Sequence, residues 1–135
     1  MTPERPRDAL GRPLPDDADP DLAVPGIPNV DELSDQQAWQ LAVDYLDSGR
    51  PFHAHEVFEM RWRIAQPDHR EAWRALAQWG AALTHVARGN PTGANALAAR
   101  TLATMSTAPS VPHCVDLPRV EASCRGILGD PPSPT

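Results

Sequence analysis

The sequence predicts an all-α fold, a single compact bundle of about five helices in mostly antiparallel hairpins behind a disordered N-terminal leader. Three observations carry this. From Ser34 onward apolar residues return at helical spacing, as with Trp39, Ala42, Val43 and Leu46 at i, i+3, i+4 and i+7. No sustained period-2 run of β-branched residues appears anywhere, so strands have no support. The breaks between periodic segments are short and rich in glycine or proline, which joins neighbouring helices as hairpins.

Residues 1–30 hold seven prolines and many aspartates with scattered apolar residues, a composition that reads as a disordered leader. The helical domain is expected over 31–128, followed by an unstructured tail at 129–135. Ser34 with Gln37 forms a capping box that opens the first helix, and Gly49 suits its C′ position. The second helix is expected from about Phe52 to Ala65. Asp68 and Glu71 repeat the capping-box spacing for a long third helix. It turns Ala72, Trp73, Leu76, Trp79, Gly80, Leu83 and Val86 to the core and stops at "RGNP". Asn90 caps a fourth helix with Pro91 at N1, rich in alanine (Ala94, Ala96, Ala98, Ala99) and therefore able to approach a neighbour closely. After Pro109 and Pro112 a last short helix spans roughly Leu117 to Leu128.

At 135 residues there is room for one domain with a real core. The formal net charge of −6 is unevenly spread: residues 1–33 carry eight acids against three arginines, whereas 34–129 hold nine of each. A neutral domain with an acidic leader offers no footprint for nucleic acid. No apolar run approaches the ~20 residues of a membrane span, and no apolar segment follows the N-terminal arginines as in a secretory signal. All twelve basic residues are arginine, which excludes lysine Schiff bases and phosphate-loop lysines. Cys114 and Cys124 stand outside any CxxC pair and read as reduced thiols of a cytoplasmic protein.

The stretch "HAHEVFEMRW" (53–62) sets two histidines and two carboxylates in what otherwise looks like a buried helix. Such groups are costly to desolvate unless paired, hydrogen-bonded or metal-bound. His55 and Glu59 lie one turn apart on a face bounded by Phe52 and Trp62, with His53 and Glu56 to the sides. Glu59 is also four residues before Arg63, in the favourable orientation for an ion pair. On the third helix Gln78 and His85 are two turns apart, with Ala82 between them. If the two faces meet, His55, Glu59 and His85 are three candidate ligands for a divalent metal such as zinc or manganese. Gln78 would then stand behind them, and a water would take the open position. The bland reading is a structural His–Glu–Gln–His hydrogen-bond network that fixes helix register. HExxH places two strong ligands at i and i+4, whereas this chain has HExxE, so the spacing by itself favours the network. Trp39, Trp73 and Trp79 read as core, His69 as a solvated first-turn residue, and His113–Cys114 lacks a partner pair at metal spacing.

The segments "GRPFHAHEVFEMRWR" and "ALAQWGAALTHVARGNPTGA" resemble the DUF309 family, small all-helical bacterial and archaeal proteins of undetermined function. The family's marks fall on Ala54, His55, Glu56, Glu59, Trp62, Gln78, His85, Arg88, Gly89, Asn90, Gly93 and Ala94, and the resemblance covers roughly Gly49 to Leu102. Ala75 stands where the family often has glycine, and His53 where an acidic or neutral residue is expected. Proteins like these carry the label of metal-dependent hydrolases on the strength of the same His and Glu residues.

Two functions of different class follow. The first is a structural or interaction module with a buried His/Glu polar cluster, its partner a protein or a second copy of the chain. The alternative is a small metal-dependent hydrolase, with Glu56 as general base and Arg88 contacting an anionic substrate. The absence of an oxyanion donor, nucleophile or glycine-rich loop in the sequence favours the module.

Overall fold

The computed structural model describes Arg12 and residues 26–129, so the rest of the expected leader up to residue 25 and the tail from residue 130 lie outside the described residues. A short 3-10 turn at Val30–Glu32 precedes five α-helices: α1 (Asp35–Asp47), α2 (Pro51–Ile64), α3 (Pro67–Ala87), α4 (Pro91–Thr107) and α5 (Leu117–Leu128). No strand occurs among the described residues. Val30, which the sequence reading places at the last position of the leader, is completely buried. Its side chain joins the core cluster, and the turn carrying it packs on α2.

Each helix packs chiefly on its neighbours in the chain, with α5 also touching α3. The order of contacts shows the hairpins. Trp39 meets Phe58 while Tyr45 meets His53, and Arg61 lies over Trp73 while His55 abuts Gly80. Rising numbers on one helix thus meet falling numbers on the next, so α1 and α2 run antiparallel, as do α2 and α3. The core centres on Phe58, whose ring centroid lies 6.0–6.3 Å from those of Trp39, Trp73 and Trp79. Burying one such ring stabilises the fold by about 1.5–3 kcal/mol.

Local chemistry explains the boundaries. Ser34 accepts from the Gln37 amide while the Gln37 side chain accepts from the Ser34 amide, the capping box expected for α1. Gly49 (φ +77°) ends α1 in a Schellman turn, with its own amide bonded to the Leu46 carbonyl and that of Arg50 to Tyr45. The start of α3 departs from expectation. Its N-cap is Gln66 with no side-chain bond, and Asp68 and Glu71 form no capping box. Pro67, already set to helical φ and lacking an amide to satisfy, starts the helix two residues earlier. His69 is not merely solvated, because its Nδ1 lies 3.8 Å from an Asp35 carboxylate oxygen.

The buried face of α2 also differs. Ala54, Val57 and Phe58 are fully buried and His53 almost so, whereas His55, Glu59 and Trp62 are half-buried at the flank. On α3 Val86 is 51% exposed, beyond the edge of the packed face. On α4 only Ala94 and Ala98 of the five alanines face inward, joined there by Thr101 and Met105. Neither cysteine is paired, and burial pushes the Cys124 thiol up to about 11. No helix of the described residues is long and apolar enough to cross a membrane.

Candidate functional site

α2 and α3 approach closely at the polar stretch. A Cβ placed on Gly80 would stand 2.8 Å from the His55 Cα, so only glycine permits this approach. His55 is thereby wedged against α3 with its ring at the groove between the two helices. Its Nε2 lies 3.4 Å from Glu59 Oε2, one helical turn away. The other oxygen of Glu59 accepts from Arg63 Nη2 at 2.6 Å. Glu59 therefore takes the local ion pair that the i, i+4 spacing offered, with Arg63 largely in solvent. Burial lowers the pKa of His55, the Glu59 charge raises it, and the Arg88 charge lowers it again.

The second histidine belongs to a different set of contacts. Gly89 (φ +74°) closes α3 in another Schellman turn, in which the Asn90 amide donates to the His85 carbonyl at 2.9 Å. Asn90 is also the N-cap of α4, its Oδ1 accepting from the Gly93 amide at 3.2 Å. That bond turns the Asn90 Nδ2 toward His85 Nδ1, 3.0 Å away. An amide nitrogen only donates, so Nδ1 is the acceptor and the proton of the neutral ring sits on Nε2. Gly93 keeps the space open, because a Cβ there would fall 2.9 Å from His85 Nδ1.

Two small cavities flank His55, and only His55 and Ala81 line both. One, of about 240 Å³, has Glu59 and Gln78 in its wall, with Trp62, Arg74, Ala77 and Leu97. The other, of about 170 Å³, is lined by Phe52, His55, Ala81, Thr84, His85 and Arg88. Seven helical residues span about 10 Å along the axis, so Gln78 and His85 lie at different levels of α2. Ala81, not the buried Ala82, is the α3 residue between them at the surface. The buried Gln78 Oε1 has no hydrogen-bond partner among the described residues, so a closed His–Glu–Gln–His network is not formed. Nor, among the described residues, do any three His, Cys, Asp or Glu side chains gather as a metal would require. His55 and Glu59 are together, while His85 is held by Asn90.

Glu56 lines neither cavity; its charge acts on Tyr45 of α1, whose pKa is raised by burial first, against the lowering effect of Arg50. Arg88 is beside the smaller cavity, its guanidinium carbon 5.8 Å from the centroid of the Phe52 ring. Sequence reasoning missed the part Asn90 plays toward His85. The cap itself was legible, but a side-chain contact five residues back depends on the turn between two helices.

Residues 39–97, from Trp39 on α1 to Leu97 on α4, match the model of DUF309, a domain of unknown function. No curated protein and no solved structure matches the chain.

Proposed function

We propose that this chain, which carries a DUF309 domain over residues 39–97, is a structural or interaction module, its His/Glu cluster flanking an α2–α3 hairpin that closes where His55 meets Gly80. One observation carries the reading: the Glu59 carboxylate is engaged by Arg63 and His55 on its own helix, while His85 is engaged by Asn90. The Glu59 carboxylate and His85 thus each have a neighbour that offsets desolvation without an ion. A concavity of about 500 Å³ between the end of α3, the start of α4 and α5 is lined by Val86, Ala94, Ile127 and others, and no titratable side chain is among its lining residues. It offers nothing to activate a water.

The alternative is the metal-dependent hydrolase with His55, Glu59 and His85 as ligands of zinc or manganese, Gln78 behind them, Glu56 as base and Arg88 as anion contact. A metal that binds the native state raises melting temperature with its concentration. Untagged protein is expected to show no such rise with zinc, manganese or nickel. A rise that Glu59→Gln abolishes would replace the module reading with the hydrolase.

A further inference from the structure

Three observations meet at the groove between the end of α3, the start of α4 and α5. Its volume of about 500 Å³ falls within the ~300–1,000 Å³ of sites that take small organic ligands. Val86, Ala94 and Ile127 give it apolar walls, and its polar side chains, Asn90, Asn95 and Ser123, are neutral. The hydroxyl of Ser123 is half committed. Its oxygen accepts from Trp79 Nε1 at 2.8 Å, yet its own proton goes to no acceptor among the described residues. The helical hydroxyls of Thr84 and Thr101 instead each donate to the carbonyl one turn back at 2.8 Å. Gly126, inside α5, has no packing reason to be glycine. A Cβ on Gly80 or Gly93 would fall 2.8 or 2.7 Å from a neighbour, whereas one on Gly126 would meet nothing within 4 Å. Glycine weakens a helix interior, and here its missing side chain leaves the wall of the groove open.

We propose that this groove binds a small, uncharged, largely apolar molecule bearing one carbonyl oxygen, which accepts the Ser123 hydroxyl proton. A lone pair of that hydroxyl already holds the Trp79 indole proton, so Ser123 meets a ligand as a donor, and a carbonyl is the acceptor that matches it. A carboxylate or an ammonium group would shed hydration with no counter-charge in the walls to replace it. An apolar body with a single acceptor keeps the gain from leaving water and satisfies the one open donor. Ser123 also borders a second cavity, of about 380 Å³. That one contains Arg119, tied to Asp47 at 2.9 Å, and is not bordered by Gly126. The inference stands apart from the reading of the His55–Glu59 pair, because a metal effect on melting would overturn that reading without altering this groove.

The test is an amide and indole NMR titration of the full chain with three probes of equal carbon number: propiophenone, propylbenzene and 3-phenylpropionate. The ketone is expected to give saturable shifts at the amides of Val86, Ala94, Gly126 and Ile127 and at the Trp79 indole N–H. Propylbenzene lacks the acceptor and 3-phenylpropionate carries a charge, so both should bind several-fold more weakly. Ser123→Ala should weaken the ketone about fivefold, the scale of one neutral hydrogen bond, and leave propylbenzene unchanged. Gly126→Leu puts a side chain into the open space of the groove and should abolish binding of the ketone while the fold is kept. Should Ser123→Ala fail to fold, because it strips the Trp79 indole of its acceptor, Gly126→Leu still decides the matter. Shifts linear in the ketone, 3-phenylpropionate or propylbenzene binding as tightly as the ketone, or an affinity untouched by Gly126→Leu would overturn the proposal.

Discussion

Gly80 and His55 meet backbone to backbone: a methyl group on Gly80 would stand 2.8 Å from the His55 Cα and 3.0 Å from its amide nitrogen. A flexible side chain could swing aside, but a helix backbone must be displaced as a whole. Gly80→Ala is therefore expected to destabilise the domain by about 1–3 kcal/mol through overpacking, offset by the ~0.5–1 kcal/mol that alanine gains over glycine in a helix interior. Urea unfolding of the two proteins measures the difference. A more stable variant would show that α2 and α3 do not cross this closely.

Arg61 contributes more to the fold than the more conspicuous Glu59. Its Nε donates to Asp35 at 2.9 Å, its Nη1 to the Leu33 carbonyl at 2.8 Å, and the group covers Trp73. It ties the start of α1 to the last turn of α2. Arg61→Met, which keeps the apolar stem, should cost about 2–3 kcal/mol as charged hydrogen bonds are lost. Glu59→Gln should cost no more than about 1 kcal/mol, because its arginine partner is mostly in solvent. Chemical denaturation that ranked the two in the opposite order would contradict this account.

The buried Val30 divides two truncations. Removing residues 1–25 is expected to leave the melting temperature nearly unchanged, since a proline- and aspartate-rich segment contributes little apolar burial. Removing 1–30 also uncovers the site filled by Val30 and should cost about 1.5–3 kcal/mol. Thermal melts of the two shortened proteins separate them, and equal stability would mean that Val30 adds nothing.

His55 sets a direction for the pH dependence of stability. Its pKa in the fold lies below the ordinary histidine value of 6.5, chiefly through burial, so the unfolded chain takes up the proton first as pH falls. Its contribution is complete above that value and declines as pH drops through 6.5 toward the lower folded value. Wild type should thus lose stability relative to His55→Gln as pH is lowered from 7 to 5. A difference that grew in the opposite sense would mean that Glu59 outweighs burial at this ring.

The sequence by itself determined the all-helical class, most helix ends and the resemblance to DUF309. Those rest on local chemistry: Ser34 with Gln37, Gly49 and Gly89 at left-handed positions, and Asn90 before Pro91 each act within a few residues. The amphipathic seam Ala54–Val57–Phe58–Arg61 was also legible at helical spacing, yet the ionisable His55–Glu59 stripe drew the reading to the neighbouring face. Only the tertiary structure decided what the polar residues do. Whether Gln78 and His85 share one level of α2 depends on how far along its axis each lies and on where Gly80 lets the helices touch. Periodicity reports the side of a helix a residue takes. It does not report its height against a partner, and that height parted His85 from Glu59 and set it beside Asn90 and Arg88.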